Sequence, residues 1–428
     1  MFIIDDALAK RASDCNPIRV AIVGAGYSGK NIAYQLLTSF PGIRLVGISN
    51  RTIAGSVAAY SAGGVSSPKV VDTVQQAEDA IKNGKFSVTD NPILLCEANG
   101  IDAIIDATGE IEFGCRVAMK GIEYGKHIIL MNAELDATLG PILNSHARNA
   151  GVIYTNTDGD EPGVAMNLYR YVKTIGLTPV LAGNLKGYYD PYRTPDTQRE
   201  FARNHNQKPR MMTSFIDGTK LSMELAVLAN ATGLRVGKRG MFGPRCAHVK
   251  DAVNHFPHKQ LLNGGLVDYL LGAEPGNGAF VIGYSEDPIK QKYLKYLKMG
   301  EGPFYTFYTP FHLPHLEIPI TVARAVLFGD ATVSPKGAPV CEVLAMAKRD
   351  LKKGETLDGI GGFTCYGLLE NSLIFKSENL LPMGLTDGCI IKKDVFKDNP
   401  ITFTDVEVPN GRMCDILWKE QNNRYLNE

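Results

Sequence analysis

The chain has 428 residues, which is more than one hydrophobic core usually supports, so two or three domains are expected. Its 45 Lys and Arg residues balance 45 Asp and Glu residues, and this zero net charge argues against nucleic acid or an anionic membrane as the main partner. Eight scattered cysteines without a C-x-x-C motif predict a reduced, cytoplasmic protein with neither a zinc knuckle nor a disulfide framework. We also expect no signal peptide and no membrane span, because acidic residues follow the brief apolar start and no apolar run is long enough.

After a short N-terminal helix, the sequence predicts a strand–turn–helix–strand unit of about 30 residues. Its two strands are the apolar runs Val20–Val23 and Ile43–Ile48, each typical of one buried parallel strand. Between them stand Gly24, Gly26 and Gly29 in the spacing G-x-G-x-x-G, followed by a helical pattern of apolar residues. Such glycines permit a tight turn, bring a pyrophosphate close to the backbone and let the helix pack on the strand. Because unpaired N–H groups at the helix start attract anions, this unit predicts a dinucleotide-binding site.

The end of the second predicted strand indicates which dinucleotide is bound. NAD enzymes usually carry Asp or Glu there, about 20 residues after the glycines, to hold the ribose hydroxyls. The corresponding residues here are Ser49, Asn50, Arg51 and Thr52. No carboxylate repels a 2′-phosphate, and the forked guanidinium of Arg51 is suited to bind one. The sequence therefore predicts NADP(H) rather than NAD(H), with a solvated surface arginine as the alternative interpretation of Arg51.

Further alternation of strands and helices predicts an α/β fold with a doubly wound parallel sheet of the Rossmann type. The apolar run Ile101–Ala107 ends in Thr108 and Gly109, and a strand Ile128–Met131 follows. Both strands would end at the edge of the sheet over which the cofactor passes. The residues that we expect to contact the cofactor are Gly24, Gly26, Tyr27, Ser28, Gly29, Ser49, Asn50, Arg51, Ala107, Thr108, Gly109, Asn132, Ala133 and Glu134.

Two segments carry a family resemblance. GKHIILMNAELDATLGPIL, followed by GDEPGVAMNLYRYVK, resembles the second half of a homoserine-dehydrogenase nucleotide domain and the start of its catalytic domain. Homoserine dehydrogenases typically carry a lysine after an Ala-Asn pair, whereas this chain has Asn132-Ala133-Glu134. The combination looks closer to a bacterial group with an additional C-terminal domain, which includes NADPH-using enzymes similar to deoxyxylulose-phosphate reductoisomerase.

The resemblance implies a division of the chain into domains. It implies an NADP-binding Rossmann domain over residues 1–160, completed by a helix at 320–333. It further implies an α+β catalytic and oligomerisation domain with an open sheet over 161–319, and a homodimer built through that sheet. Within this domain, the lysine-rich stretch Lys290–Lys298 predicts a solvated helix face.

The expected catalytic domain contains a concentration of charged residues. Lys186 is predicted to project from a strand end, and Asp217, Lys220 and Glu224 are spaced to share one face of a helix. An exposed, salt-bridged helix face would explain this spacing. However, the helix is rich in Ala and Leu and is therefore expected to be largely buried, where charges need partners or a function. A strand lysine beside an Asp/Lys pair on the adjoining helix also resembles homoserine dehydrogenase.

Three carboxylates lie within four positions of one another, at Asp158, Asp160 and Glu161. The resemblance places this turn against the nicotinamide, where the side chains would bind substrate hydroxyls. Their oxygen atoms also suit a divalent cation such as Mg²⁺ or Mn²⁺. Equally, Asp160 or Glu161 would cap a helix that begins at Pro162. The sequence leaves both interpretations open.

Residues 335–428 differ in sequence pattern from the preceding part of the chain and consist of short strand-like runs separated by turns. Two pieces, AKRDLKKGETL and IKKDVFKDNPITFTDV, echo each other. The segment resembles an SAF domain, the small all-β module of sialic-acid synthases and flagellar P-ring chaperones. It carries no obvious catalytic residue, and a structural appendage is its simplest interpretation.

Carbonyl reduction requires a group that stabilises the developing alkoxide and a group that supplies a proton. Lys186 and Lys220 are the candidates for these roles, with Asp217 orienting Lys220. The expected catalytic residues are Lys186, Lys220, Asp217, Glu161, Asp160 and Glu224.

The sequence thus predicts an NADPH-dependent oxidoreductase acting on a small sugar-derived carbonyl. Its most specific form is the reductoisomerisation of 1-deoxy-D-xylulose 5-phosphate to 2-C-methyl-D-erythritol 4-phosphate, with Arg193 and Lys208 or Arg210 holding the phosphate. Homoserine dehydrogenase and sugar-acid dehydrogenase are alternative activities. A non-catalytic NADP-sensing or sugar-binding protein is the alternative from another class.

Overall fold

The computed structural model describes residues 2–425 and divides them into two compact units. The first unit contains the described residues up to Asp160, with Leu313–Ser334 and Ile416–Arg424. The second contains Glu161–His312, Pro335–Asp415 and Tyr425. The sequence predicted three domains, but residues 335–415 belong to the same compact unit as residues 161–312. The functions assigned to those domains stay predictions.

The helices and strands are numbered along the chain. The helices are α1 Phe2–Ser13, α2 Tyr27–Thr38, α3 Ile53–Ala62, α4 Val74–Lys82, α5 Pro92–Glu97, α6 Ile111–Glu123, α7 Ala133–Asn149, α8 Glu161–Thr174, α9 Arg199–Asn204, α10 Pro209–Ile216, α11 Thr219–Thr232, α12 His258–Leu262, α13 Pro288–Tyr296, α14 Ile318–Phe328, α15 Ser372–Ser377 and α16 Met413–Arg424. The strands are β1 Ile18–Val23, β2 Ile43–Ser49, β3 Lys69–Val70, β4 Ser87–Thr89, β5 Ala103–Asp106, β6 His127–Leu130, β7 Tyr154–Asn156, β8 Thr178–Lys186, β9 Leu266–Leu271, β10 Ala279–Tyr284, β11 Phe304–Thr309, β12 Cys341–Ala347, β13 Cys365–Asn371, β14 Ile390–Ile391 and β15 Val406–Glu407.

The first unit is built on a parallel sheet. Within the described residues its seven strands have the order β3-β4-β2-β1-β5-β6-β7. The central strands β1 and β5 are almost wholly buried, as their apolar runs predict for a parallel sheet covered by helices on both faces. The predicted doubly wound Rossmann-type sheet is therefore confirmed.

Helix α14 returns to this unit from a distant part of the chain. Ile318 and Val322 of the helix lie in the same hydrophobic core as Val20 and Ile22 of β1. The sequence predicted this helix within residues 320–333, whereas it spans Ile318–Phe328. Its earlier start is consistent with Pro319, because proline is favoured in the first helical turn.

A glutamine from the end of the chain completes helix α7. Pro141 lies inside α7, and the next residue, Ile142, donates its N–H to Gln421 Oε1 at 3.1 Å. Gln421 Nε2 in turn donates to the carbonyl of Thr138 at 3.3 Å. In a regular helix Ile142 would bond Thr138 directly, so the side-chain amide of Gln421 is inserted between these two backbone groups.

The second unit contains a mixed sheet with the strand order β11-β10-β8-β9. Strands β8 and β9 are parallel, whereas β10 is antiparallel to both β8 and β11. The sheet contributes Leu181, Leu270, Phe280 and Ile282 to a buried core. This arrangement confirms the open sheet predicted for this part of the chain and places Lys186 at the end of β8.

The helix predicted around Asp217 is broken in the structure. Helix α10 ends at Ile216, and α11 begins only at Thr219. Gly218 separates them with φ +86°, a conformation that glycine adopts without strain. Asp217 therefore precedes α11 rather than sharing its face with Lys220. The residues of α11 from Thr219 to Ala231 are buried, as its composition predicted.

The C-terminal part of the second unit contains the predicted small sheets and also helices. Strands β12 and β13 pair antiparallel, as do the short strands β14 and β15. The run GLLENSLIF, expected to be strand-like throughout, divides into the end of β13 and helix α15. Helix α16, most of which belongs to the first unit, begins at Met413, so residues 335–425 are not wholly β.

The two echoing sequences in this segment adopt matching conformations. Leu351 and Val395 stand at equivalent positions and exchange backbone hydrogen bonds of 2.8 and 3.0 Å. Three residues further on in each copy, Gly354 and Asp398 both have positive φ angles, of 90° and 63°. The internal similarity is therefore a structural repeat in which each copy pairs with the other.

No helix within residues 2–425 combines the length and apolar character needed to cross a membrane.

Candidate active site

The glycine-rich turn of the first unit has the shape that a dinucleotide requires. Gly24 has φ +100°, and a Cβ added at Gly29 would lie 1.9 Å from the carbonyl oxygen of Gly24. Gly26 precedes helix α2, and a Cβ there would meet no atom within 4 Å. Gly24 and Gly29 thus close the turn, while Gly26 leaves open space beside the helix N-terminus. The residues present fit a pyrophosphate at this helix start.

The residues after β2 divide into supporting and exposed positions. Asn50 Oδ1 accepts the N–H of Ala25 at 3.1 Å, and Asn50 Nδ2 donates to the carbonyl of Thr52. Ser49 is buried, and its carbonyl accepts the N–H of Gly24. Asn50 and Ser49 therefore brace the glycine turn, whereas the side chain of Arg51 is exposed. Recognition of a 2′-phosphate by Arg51 stays a prediction.

A buried polar network joins the ends of β5 and β6. Asp106 accepts hydrogen bonds from Thr108 Oγ1 at 2.6 Å and from Asn132 Nδ2 at 3.0 Å. Asn132 Oδ1 accepts the N–H of Leu135 and so caps helix α7. Burial raises the pKa of Asp106, although these hydrogen bonds oppose the rise. The network fixes the strand ends over which a dinucleotide would lie.

Asn132, Ala133 and Glu134 were expected to contact the cofactor. All three are buried, and the amide of Asn132 is used to hold the fold together. Sequence reasoning located this strand end but did not distinguish residues that support it from residues that face a ligand.

The carboxylate of Asp158 is bonded to residues of the first unit and does not form an acidic ligand set with its neighbours. Its carboxylate pairs with Arg324 and accepts hydrogen bonds from Thr321 at 3.0 Å and from Thr332 at 2.6 Å. These donors satisfy the carboxylate within the fold, which argues against the cation interpretation for this residue. Helix α8 begins at Glu161, one residue before the predicted start at Pro162, and Asp160 directly precedes it.

The second unit brings Lys186 between two glutamates. Lys186 Nζ lies 2.6 Å from Glu161 Oε1 and 3.3 Å from Glu224 Oε2. Glu161 comes from the first turn of α8, Lys186 from the end of β8, and Glu224 from the second turn of α11. Both glutamates are buried, whereas the Lys186 side chain retains 19% of its exposure. We call Glu161, Lys186 and Glu224, with Asn184 and His312, the lysine cluster.

Electrostatics in the lysine cluster favour the ionised forms of Glu161 and Lys186. Burial opposes the charge on Glu161, but the ammonium of Lys186 and the nearby His312 hold the pKa of this carboxyl well below its usual range. Burial likewise opposes the charge on Lys186, but Glu161 and Glu224 raise the pKa of its ammonium above the usual value. A lysine held in this state retains its proton, so Lys186 is suited to stabilise negative charge rather than to donate a proton.

Sequence reasoning missed two members of the lysine cluster. Asn184 Nδ2 donates to Glu224 Oε2 at 3.0 Å, and His312 Nε2 lies 3.7 Å from Glu161 Oε2. Among the described residues, neither Asn184 Oδ1 nor His312 Nδ1 has a hydrogen-bond partner, although both atoms are buried. Such atoms are suited to receive a polar ligand. The alternation of side chains along a strand would have pointed from Lys186 to Asn184, but no local signal indicates His312.

Asp217 has a different partner from the one predicted. Its Oδ2 accepts a hydrogen bond from Lys348 Nζ at 2.9 Å, and its Oδ1 accepts the N–H of Thr219. Lys348 also donates to the carbonyls of Arg193 and Gly362, at 2.8 and 2.9 Å. Burial raises the pKa of Asp217, while Lys348 opposes this rise. This buried pair anchors the start of α11 instead of orienting Lys220.

The remaining residues predicted for the site lie in different environments. Lys220 is buried in the first turn of α11, one turn before Glu224, and its role stays a prediction. Arg193 is half exposed and pairs with Asp190 at 3.0 Å. Arg210 donates to the carbonyls of Asp358 and Ile360, so its guanidinium is used within the fold.

Comparisons with known proteins identify the type of catalytic domain. Residues 159–318 match a family model described as "Oxidoreductase DRL, catalytic domain", which covers 160 of the 428 residues. The lysine cluster lies within this range. The second unit thus contains a segment similar to an oxidoreductase catalytic domain, and the first unit contains a turn of the dinucleotide-binding type. A comparison with curated protein sequences gives no significant match.

Solved structures show only distant similarity. Myo-inositol dehydrogenase from Lactobacillus casei, solved with NAD(H) and myo-inositol, has 11% identity and a TM-score of 0.42, covering 75% of this chain and 88% of that one. An NAD-binding oxidoreductase from Klebsiella pneumoniae has 16% identity and a TM-score of 0.30, covering 41% of this chain and 44% of that one. The chain therefore spans less than half the length of the latter protein. TM-scores this low transfer no activity.

Proposed function

We propose that this protein reduces a small sugar-derived carbonyl with NADPH. The most specific form of the proposal is the reductoisomerisation of 1-deoxy-D-xylulose 5-phosphate to 2-C-methyl-D-erythritol 4-phosphate. The observation that carries the reductase proposal is the ammonium of Lys186, held between two buried carboxylates inside an oxidoreductase catalytic domain. The choice of substrate rests on the sequence resemblance.

Lys186 is the proposed charge-stabilising group. A nicotinamide cofactor, when bound, supplies the hydride, and the carbonyl oxygen becomes an alkoxide. A preorganised cation at that oxygen stabilises the charge as it develops and needs no reorganisation during the step. Glu161 and Glu224 fix the position and the protonation state of the Lys186 ammonium.

The proton that completes the reduction must then come from another group. His312 is the proposed donor, because imidazole is a common general acid and Nδ1 of this residue is buried without a partner in the described chain. Asn184 Oδ1 is placed to accept a hydrogen bond from a substrate hydroxyl. In reductoisomerisation, an α-ketol or retro-aldol rearrangement would first produce the aldehyde that accepts the hydride.

A divalent cation is a poorer fit to the second unit than the lysine that is present there. Glu161 and Glu224 already share the Lys186 ammonium, and a metal ion bound to both carboxylates would compete with it. No step of the proposed mechanism therefore passes through a metal ion.

The test is NADPH oxidation, followed by its absorbance, with 1-deoxy-D-xylulose 5-phosphate, aspartate semialdehyde and several keto sugar acids. Each reaction is run with Mg²⁺, with Mn²⁺ and with a chelator. Turnover of the phosphoketose alone supports the specific proposal, and turnover of a keto sugar acid retains the reductase but replaces its substrate. Turnover of the semialdehyde would identify a homoserine dehydrogenase. NADPH binding without turnover of any compound would favour a sensor protein and contradict the proposal.

A further inference from the structure

The loop of residues 187–198 follows directly after strand β8, and its inner part is held by α10 and α11. Asp190 donates its N–H to the carbonyl of Ile216 at 2.9 Å. The ring of Tyr189 packs on Gly218, where an added Cβ would lie 2.3 Å from a ring carbon. The inner part of the loop is therefore seated on the break between the two helices.

The loop also carries two polar side chains close in sequence to the lysine cluster. Tyr188 lies two residues after Lys186, within about 7 Å of it along the chain, and 55% of Tyr188 is exposed. Arg193 Nη2 donates to Tyr188 Oη at 3.0 Å, and the guanidinium carbon lies 5.7 Å from the centre of the Tyr188 ring. Asp190 pairs with the same guanidinium at 3.0 Å. A joined hydroxyl and guanidinium of this kind are suited to bind the oxygen atoms of a sugar or a phosphate.

The outer part of the loop is held by the C-terminal part of the same unit. Tyr192 Oη donates to Asp398 Oδ2 at 2.9 Å, and Lys397 Nζ lies 3.5 Å from the centre of the Tyr192 ring. Lys348 Nζ donates to the carbonyl of Arg193 at 2.8 Å. Three residues of the C-terminal part therefore hold two neighbouring residues of the loop.

Asp398 stands at a position where the other copy of the structural repeat has glycine. Gly354 donates its N–H to the carbonyl of Ile391 at 2.8 Å, and Asp398 donates to the equivalent carbonyl of Ala347 at 2.9 Å. Both residues have positive φ angles, of 90° and 63°. Glycine adopts this conformation freely, whereas a residue with a Cβ does so at an energetic cost. The backbone therefore favours glycine here, and a gain from the Asp398 carboxylate is needed to offset the cost.

That carboxylate joins the loop to strand β13. Asp398 Oδ2 accepts the hydroxyl of Tyr192, and Oδ1 accepts the hydroxyl of Tyr366 at 3.0 Å. Tyr366 is buried on β13, and its ring lies edge-on to that of Tyr192 with the ring centres 6.4 Å apart. One carboxylate thus connects an exposed tyrosine of the loop with a buried tyrosine of the sheet.

We propose that Asp398 is a positioning residue for substrate binding, which acts through Tyr192 to hold Tyr188 and Arg193 in one arrangement next to Lys186. The inference rests on the proposed function, because it takes the substrate to react at Lys186. The class of substrate that fits is a polyhydroxylated or phosphorylated carbonyl compound. The C-terminal part of the unit, for which the sequence predicted a structural appendage, thereby contributes to the site.

Ordering the loop in advance affects binding rather than the chemical step. A loop that is already fixed does not have to be ordered when the substrate binds, so the full contact energy contributes to affinity. Loss of the contact between Tyr192 and Asp398 should therefore weaken the substrate complex and the transition state equally. Such a loss raises KM and leaves kcat unchanged.

Steady-state kinetics test this role with NADPH and 1-deoxy-D-xylulose 5-phosphate, or with the keto sugar acid that is turned over in its place. Asp398→Gly removes the carboxylate without straining the turn, as Gly354 shows, and Tyr192→Phe removes only the hydroxyl. Each should raise KM for the carbonyl compound by about tenfold and change kcat by less than about twofold. Tyr366→Phe is the matched control, because it removes the other hydroxyl bound to the same carboxylate and should leave KM unchanged. Equal increases in KM for the two Phe variants would overturn the proposal.

Hydrogen exchange tests the connection without turnover. The N–H groups of Tyr192 and Arg193 are bonded to Asp190 within the loop, and they should exchange about tenfold faster in Tyr192→Phe and Asp398→Gly. Exchange should stay at the wild-type rate in Tyr366→Phe. Unchanged exchange in the first two variants would overturn the proposal whichever compound is reduced, and so would faster exchange with an unchanged KM. Faster exchange in variants of a protein that reduces no compound would support the connection and contradict the proposed function alone.

Discussion

The glycine turn of the first unit is a backbone structure, whereas the lysine cluster of the second unit is an assembly of charged side chains. The turn depends on the backbone of one short stretch of sequence and on the absence of side chains at Gly24, Gly26 and Gly29. The lysine cluster is formed by charged side chains that converge from α8, β8, α11 and the segment containing His312. A backbone site can be recognised from local spacing, whereas a side-chain site depends on tertiary packing. The cluster also depends on each charge being balanced by another, which the turn does not.

The strongest way to test the role of charge balance is to remove the ammonium of the lysine cluster. Lys186→Met should lower kcat by about 10²–10³-fold, because the carbonyl oxygen loses its stabilising cation. The affinity for NADPH, measured by fluorescence titration, should remain unchanged because the glycine turn is not altered. Lys250→Met, which removes an exposed lysine of the same unit, serves as the control and should retain full activity. Full activity of Lys186→Met would exclude Lys186 from the reaction.

The buried pair beneath α11 provides the next test. Lys348→Met should lower the free energy of unfolding by about 3–5 kcal/mol, because it leaves Asp217 buried without its cation. Adding Asp217→Asn should restore part of the loss, which chemical denaturation can measure. The control is Lys352→Met, since both members of the pair of Lys352 with Asp394 are exposed and its loss should change the free energy of unfolding far less. Equal losses for the two lysine variants would contradict a structural role for the buried pair.

The glycine turn itself can be divided into a part needed for folding and a part needed for binding. Gly29→Ala should lower the thermal midpoint, because its Cβ would lie 1.9 Å from the carbonyl oxygen of Gly24. Gly26→Ala should leave the midpoint nearly unchanged, because its Cβ meets no protein atom within 4 Å. It should nevertheless weaken NADPH binding by filling the space required by the pyrophosphate. Undiminished NADPH binding by Gly26→Ala would place the pyrophosphate elsewhere.

Cofactor preference should respond to a single exposed arginine. Arg51→Ala should weaken NADPH binding by about tenfold, as expected from loss of one charge-assisted contact, and should leave NADH binding unchanged. Dissociation constants for the two cofactors, measured on both proteins, check this expectation. Equal losses for NADPH and NADH would point to a general effect on the turn rather than to recognition of the 2′-phosphate.

A smaller effect, on the pH dependence of the thermal midpoint, is expected from a buried acid in helix α7 of the first unit. Burial raises the pKa of Asp136 to about 7, although the hydrogen bond that Asn156 Nδ2 donates to its carboxylate opposes the rise. Since the folded pKa exceeds the unfolded one, this group stabilises the protein below about pH 4, and that contribution is lost as the pH rises towards 7. Asp136→Asn should therefore flatten the fall of the thermal midpoint between about pH 4 and 7. A wild-type slope retained in the variant would assign the pH dependence to other groups.

The sequence was most informative where local rules decide the structure. The glycine spacing, the parallel strands and the position of Lys186 at a strand end were all predictable, since each depends on neighbouring residues. The break at Gly218 was not, because the run around it is compatible with one continuous helix. The pairing of Asp217 with Lys348 joins residues 131 positions apart, and no local pattern indicates such a contact. For the same reason Asp158, which the sequence grouped with Asp160, is used by Arg324 of a distant helix.

The insertion of Gln421 into helix α7 has a consequence for the order in which the first unit can be completed. Gln421 lies 279 positions after Ile142, to which it bonds, and nearly all of the second unit lies between them in the sequence. During translation, helix α7 therefore keeps an unfilled break at Pro141 until the chain has emerged as far as Gln421. The unit that carries the glycine turn closes only after most of the second unit has been synthesised.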